Sequence, residues 1–198
     1  VLIVSKEKLD VALEALAESP AISLCLVVGA DADDLPTKRL GSTEFRSFEA
    51  ALADYPTIPI EDESLGTSML YSSGTTGRPK GILRPLPENE PADPLPLFHF
   101  LTDLWQYRED MIYLSPAPLY HSAPQAATGL TIRKGGTVVI MERFDPQDYL
   151  RYVSEYQVSH SQLVPTMFSR MLKLPQDIRD SADLSSLEVA IHAAAPCP

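Results

Sequence analysis

The apolar residues of this chain fall in short runs separated by polar, helical or proline-rich stretches. Unbroken apolar runs of strand length suit strands covered on both faces. Such runs, and others broken by a few polar residues, predict strands over residues 1–4, 24–28, 67–71, 111–114, 137–141, 158–164 and 187–191. Between them the period changes to that of a helix. Leu9, Leu13 and Leu16 predict a helix over 5–19, capped by Ser5. A short amphipathic helix is expected over 47–55, ended by Pro56, and two more over 97–107 and 123–133. Asp145-Pro146 is a helix start, with Asp as cap and Pro at the first position, and Leu150 and Val153 keep the period. Pro165 opens a helix carrying Met167, Phe168, Met171 and Leu172. Residues 31–43 read as a loop. Strand–helix alternation predicts an α/β fold with a mainly parallel sheet, or sheets, flanked by helices. The pattern leaves one sheet or two open, and no fixed-period repeat is present.

Composition narrows the function classes. The chain has 198 residues, enough for one domain or two small ones, with 44% hydrophobic and 22% charged residues. Sixteen basic against 27 acidic residues give a net charge of −11. That excludes nucleic acid and an anionic membrane surface as general partners, while leaving room for a local basic pocket. The apolar runs are too short for an integral membrane segment. Cys25 and Cys197 match neither a disulfide framework nor a zinc spacing, and the four histidines form no ligand cluster, so no metal site is expected. A reducing cytoplasm is the expected compartment. The chain opens in one predicted strand and stops just past another. It is therefore expected to be an internal piece of a longer protein, prone to self-association as a homo-oligomer through exposed sheet edges.

One segment stands apart from this pattern. After the strand at 67–71 comes Ser72-Ser73-Gly74-Thr75-Thr76-Gly77-Arg78-Pro79-Lys80-Gly81. Hydroxyls and backbone N–H groups freed by glycine make an anion cradle, to which Lys80 adds a positive charge. Phosphate is the expected guest. The segment is not a Walker A loop, because Pro79 precedes Lys80 and Gly81 follows it. Six prolines, Pro79, Pro85, Pro87, Pro91, Pro94 and Pro96, then fall within 18 residues, which forbids a continuous helix or central strand.

The segment from Ser72 to Gly81 resembles the signature of the adenylate-forming superfamily: acyl-CoA synthetases, coumarate ligases, luciferases and peptide-synthetase adenylation domains. Other stretches are similar in order and spacing. They are Pro118-Leu119-Tyr120-His121, Gly135-Gly136 with the strand after it, Val164-Pro165-Thr166, Asp183-Leu184-Ser185-Ser186-Leu187, and Ala193-Ala194-Ala195-Pro196. The likeness spans almost the whole chain and implies an internal piece, 1–198, of the large N-terminal AMP-binding domain, lacking the C-terminal domain. Its nearest flavour is a bacterial fatty-acyl-CoA synthetase.

The resemblance implies an ATP-dependent acyl-CoA synthetase using ATP, Mg2+ and coenzyme A on a carboxylic acid, a fatty acid by the nearest likeness. A carboxylate attacks the α-phosphate, pyrophosphate leaves, and the coenzyme A thiolate takes the acyl group from the adenylate. On this reading Ser72, Ser73, Gly74, Thr75, Thr76 and Gly77 hold the β- and γ-phosphates, with Thr75 and Lys80 as the catalytic pair. Gly77 and Gly81 shape the turn. His121 lines the acyl site, and Ala194, Ala195 and Pro196 pack beside adenine. Arg143 meets coenzyme A phosphates, or is simply a surface arginine. Residues 82–96 form a Pro-rich insertion, and the magnesium-binding Glu, the ribose-binding Asp and a second catalytic Lys are expected beyond Pro198. The competing readings are a carrier-protein-loading adenylation domain, a noncatalytic nucleotide- or acyl-binding module, and a Pro-rich interaction protein.

Overall fold

Leu24–Val28 (β2) becomes the centre of a small parallel sheet because alternate residues are apolar on both sides. The computed structural model describes residues 1–72, 80–93, 96–193 and 195–196, the side chains of Ser72 and Pro96 excepted. The chain divides into two units, Val1–Asp62 and Glu63–Pro198. In the first, β2 pairs in parallel with Leu2–Ser5 (β1) on one side and Glu44–Ser47 (β3) on the other. Cys25 and Val27 are fully buried against Leu16 of the helix Leu9–Ala17 (α1) and Ala30. The Cys25 thiol is free, and burial pushes its pKa up, which keeps it protonated.

Local chemistry corrects two expectations here. Ser5 makes no side-chain cap, so a 3-10 turn over Lys6–Lys8 precedes a shorter α1. Strand β3 falls in a stretch with only one apolar side chain, Phe45, and so left no periodic signal. Its last residue, Ser47, caps the helix Phe48–Ala53 (α2), the hydroxyl oxygen accepting the Ala50 N–H at 3.4 Å.

The second unit is built on two sheets. Leu70–Ser72 (β4) and Lys80–Ile82 (β5) form an antiparallel pair. Residues 83–93 carry neither helix nor strand, as the prolines require, and Pro96–Leu104 (α3) follows. The main sheet has four parallel strands, Ile112–Ser115 (β6), Thr137–Ile140 (β7), His160–Leu163 (β8) and Val189–His192 (β9), in the order β7-β6-β8-β9. Its connections are Ser122–Arg133 (α4), Pro146–Glu155 (α5), and Pro165–Leu172 (α6) with Gln176–Ser181 (α7). The helix α7 has no apolar stripe and was not expected from the sequence.

Alternate strand residues enter two cores. Leu114 and Leu163 meet Tyr149, Leu150 and Val153 of α5 and Met167 of α6. Tyr113 and Ile191 face the other way, to Ala127 and Leu130 of α4 with Tyr107 and Met111. Each fully buried side chain of this size stabilises the fold by about 1.5–3 kcal/mol. Asp145 caps α5 as expected, its carboxylate accepting the N–H groups of Gln147 (2.9 Å) and Asp148 (3.0 Å). Gly135 (φ +80°) ends α4 in the left-handed region.

A buried imidazole ties this sheet to the segment after α3. His160 is wholly buried. Its Nε2–H donates to the Trp105 carbonyl (3.0 Å), which leaves Nδ1 to accept from the Ser159 hydroxyl (2.8 Å). Desolvation lowers its pKa, assisted by the Arg108 charge and opposed by the Trp105 carbonyl and Glu188. The unfolded chain therefore takes up the proton first, and stability falls as pH drops below the ordinary histidine value of about 6.5. We expect the urea midpoint to decline between about pH 7 and pH 5.5, and that slope to be lost in His160→Asn. An unchanged slope in the variant would assign the effect to other groups.

Candidate functional site

The hydroxyl- and glycine-rich segment is held at its two ends by a strand pair. Leu70 lies opposite Ile82, Tyr71 opposite Gly81, and Ser72 opposite Lys80. The antiparallel register thus sets Lys80, which is exposed, across from Ser72. The candidate residues Ser73, Gly74, Thr75, Thr76 and Gly77 fall between them and lie outside the described residues. No helix follows Lys80. A Walker A loop runs into a helix N-terminus that itself attracts phosphate, whereas here the chain continues as β5. Positive charge at the foot of this segment therefore comes from a side chain.

Gly81 has a different place from the one expected. It is a strand residue with an ordinary φ rather than part of a turn. A Cβ there would collide with the Met69 methyl and stand 3.2 Å from the Tyr71 ring. Its small size lets the cross-strand aromatic ring lie over the backbone.

The parallel sheet supplies the second group of residues. All four strands point the same way, so their C-terminal ends share one edge. From the end of β6 the chain passes Pro118 and reaches His121, the N-cap of α4 (φ −83°, ψ 142°). Its side chain makes no capping bond, is exposed, and lies 4.5 Å between centroids from the ring of Tyr120, tilted by 49° to it; Tyr120 is itself 83% exposed. From β7 the chain reaches Arg143, exposed beside Glu142, Asp148 and Tyr152 around a recess of about 350 Å3. From β9 it reaches Ala195 and Pro196, both exposed; Ala194 lies outside the described residues. One sheet edge therefore carries His121, Arg143, Ala195 and Pro196.

The strand order adds residues that the sequence reading passed over. The chain moves outward from β6 to β7 and then returns to build β8 and β9 on the other side. Open parallel sheets bind ligands outside the strand ends where the order reverses, here between β6 and β8. Ser115 and Gln162 stand there, one step beyond the Leu114–Ser161 pair. Both are buried, and Ser115 Oγ and Gln162 Oε1 have no hydrogen-bond partner among the described residues. Buried polar atoms are nearly always paired. The available signal was a polar residue near the end of each strand, Ser115 before Pro116 and Gln162 before Leu163.

A cavity of about 510 Å3 connects the strand pair with the start of α4. Its walls include Thr67, Ser68 and Leu70 on the approach to Ser72, Phe98 and Leu101 of α3, and Ser122 and Ala126 of α4. It therefore adjoins both β4 and the residue following His121. Apolar walls with a few polar groups are the usual makeup of a small-molecule site. Among the described residues no group of three His, Cys, Asp or Glu side chains is placed to hold a metal.

Comparison with known proteins gives this geometry a context. A family model described as AMP-binding enzyme matches residues 1–198. A medium/long-chain-fatty-acid–CoA ligase, FadD8 of Mycobacterium tuberculosis, is 30% identical over 133 residues, covering 67% of this chain and 22% of that protein. A feruloyl-CoA synthase of Amycolatopsis is 35% identical over 153 residues, covering 76% of this chain and 29% of that protein. The chain thus spans less than a third of the length of either relative. Among solved structures, the inhibitor-bound N-terminal domain of FACL13 from Mycobacterium tuberculosis superposes with a TM-score of 0.65 at 20% identity, over 96% of this chain and 48% of that one. A fatty acyl-adenylate ligase from L. pneumophila, solved with acyl adenylate and pyrophosphate, gives 0.66 at 16% identity, over 99% and 36%.

If Gln162 Oε1 is an orphan, removing it should not harm the fold. Gln162→Met is expected to keep the thermal midpoint or raise it, because replacing an unpaired buried acceptor by an apolar group of similar shape is close to neutral. A loss of about 2 kcal/mol or more would show that the oxygen has a partner in the folded chain.

Proposed function

The chain belongs to the AMP-binding enzyme family, and on that premise we propose that the protein containing it is an ATP-dependent acid–thiol ligase that makes acyl-CoA through an acyl-adenylate. The observation that carries this reading is the strand pair: it sets Lys80 across from Ser72 at the foot of the hydroxyl-rich segment, beside a cavity shared with the start of α4. In the first step a carboxylate oxygen attacks the α-phosphorus of ATP and the bond to pyrophosphate breaks. In the second the coenzyme A thiolate attacks the acyl carbon and AMP leaves. Little covalent chemistry falls to the protein in phosphoryl transfer, so positioning and charge neutralisation dominate.

The roles follow from charge and place. Ser72, Ser73, Gly74, Thr75, Thr76 and Gly77 hold the β- and γ-phosphates. Lys80 neutralises charge on the departing pyrophosphate. His121, exposed at the sheet edge, meets the acid near its carboxylate. Small residues at Ala194, Ala195 and Pro196 leave room for the flat adenine ring, and Arg143 meets a phosphate of coenzyme A. A magnesium ion carried with ATP would add to this neutralisation of phosphate charge, needing only one or two protein carboxylates beside the phosphates and waters.

Carboxylate-dependent exchange of pyrophosphate into ATP, measured on the full-length protein, tests the reading. Lys80→Ala is expected to slow it about 10²–10³-fold, the usual loss for one charge-stabilising group. Exchange at the wild-type rate would remove Lys80 from the phosphate site. His121→Ala is expected to raise KM for the acid more than KM for ATP. A lowered thermal midpoint with unchanged kinetics would instead make His121 a structural residue.

A further inference from the structure

Among the described residues, one cation and no carboxylate line the cavity beside the strand pair. Arg84 follows β5 by two residues and lines the same cavity as Leu97, Phe98 and Leu101 of α3 and Ala126 of α4. It is the one charged side chain among the described lining residues. It has no ion pair and no hydrogen bond among the described residues, whereas Arg39, Arg46, Arg108 and Arg151 each hold a carboxylate. Arg84 is exposed, and its place on this cavity wall sets it apart from the other arginines that hold no carboxylate. Pro85 follows it directly and keeps its backbone out of the helical region, which narrows the positions its side chain can reach. The other polar groups of the wall are hydroxyls and the Gln125 amide.

We propose, building on the ligase reading, that this cavity takes the hydrocarbon part of the acid and that Arg84 binds a second, distal carboxylate, so that the substrate is a dicarboxylic acid. A guanidinium meets a carboxylate through two parallel hydrogen bonds. A plain fatty acid offers the guanidinium no such partner, so the distal carboxylate discriminates between the two. Arg84 is thus a specificity residue contributed by the Pro-rich segment, and Gln125 offers the distal group a further hydrogen bond. An anionic oxygen group could also come from a phosphate of ATP or coenzyme A, and the kinetic arms below separate the two sources.

The test compares dodecanoic acid with dodecanedioic acid in the full-length protein. The wild type is expected to favour the diacid in kcat/KM. Arg84→Gln should reduce the diacid-to-monoacid ratio about 10–100-fold, the usual span for one charge-assisted hydrogen-bonded pair. Arg84→Lys should restore part of that ratio. Arg84→Glu should turn the preference toward the ω-amino acid of the same length. A ratio indifferent to Arg84 overturns the proposal. So does a variant whose loss lies in KM for ATP or coenzyme A, because the anion would then be a phosphate. Pyrophosphate exchange with no acid at all would overturn the ligase reading first, and the proposal with it, whereas exchange with monoacids alone overturns only the proposal.

Discussion

Parallel strands cannot be joined by tight turns, and the second unit of this chain follows from that constraint. Each step from one strand of the main sheet to the next needs a crossover of a dozen residues or more, and α4, α5 and the α6–α7 pair supply them. The crossovers cover both faces, which is why the inner strands β6 and β8 are buried on both sides and the two cores sit back to back. The same constraint delivers every strand exit to one edge. Residues far apart in sequence, His121, Arg143, Ala195 and Pro196, reach that edge because of strand direction.

The small antiparallel pair solves a different problem. A segment rich in hydroxyls and glycine has no apolar surface with which to fix itself. Its ends are closed by the pairing of Ser72 with Lys80, and the adjoining Tyr71–Gly81 pair packs tightly because glycine leaves space for the ring. The signature segment thus rests on a scaffold unlike that of a Walker A loop, in which a helix dipole contributes to anion binding.

Much of this was legible in the sequence where hydrophobic runs were long or caps were strong. The main-sheet strands, the Asp145 cap and the loop-like course after β5 follow from pattern and proline chemistry alone. Strand β3 was hidden because Phe45 is its single apolar residue, and α7 because it has no apolar face. β5 was hidden because Lys80-Gly81-Ile82 has no strand period and its pairing depends on a distant partner. The adenylate-forming resemblance was carried by the signature and the shorter motifs, and the family match over the whole chain agrees with it. Ser115 and Gln162 left only a weak signal, a polar residue near a strand end, because their significance comes from a strand order that periodicity does not encode. Arg84 looked like one more charge in a proline-rich loop until the cavity placed it beside α3 and α4.

The central claim is that the strand pair and the start of α4 form two walls of a single site. Hydrogen–deuterium exchange of the full-length protein, with and without a nonhydrolysable acyl-adenylate analogue, tests it most directly. The account predicts that residues 70–82 and 115–126 become protected together, while α5, α6 and α7 keep their exchange rates. Protection of only one of those two segments, or protection centred on α5–α7, would contradict it.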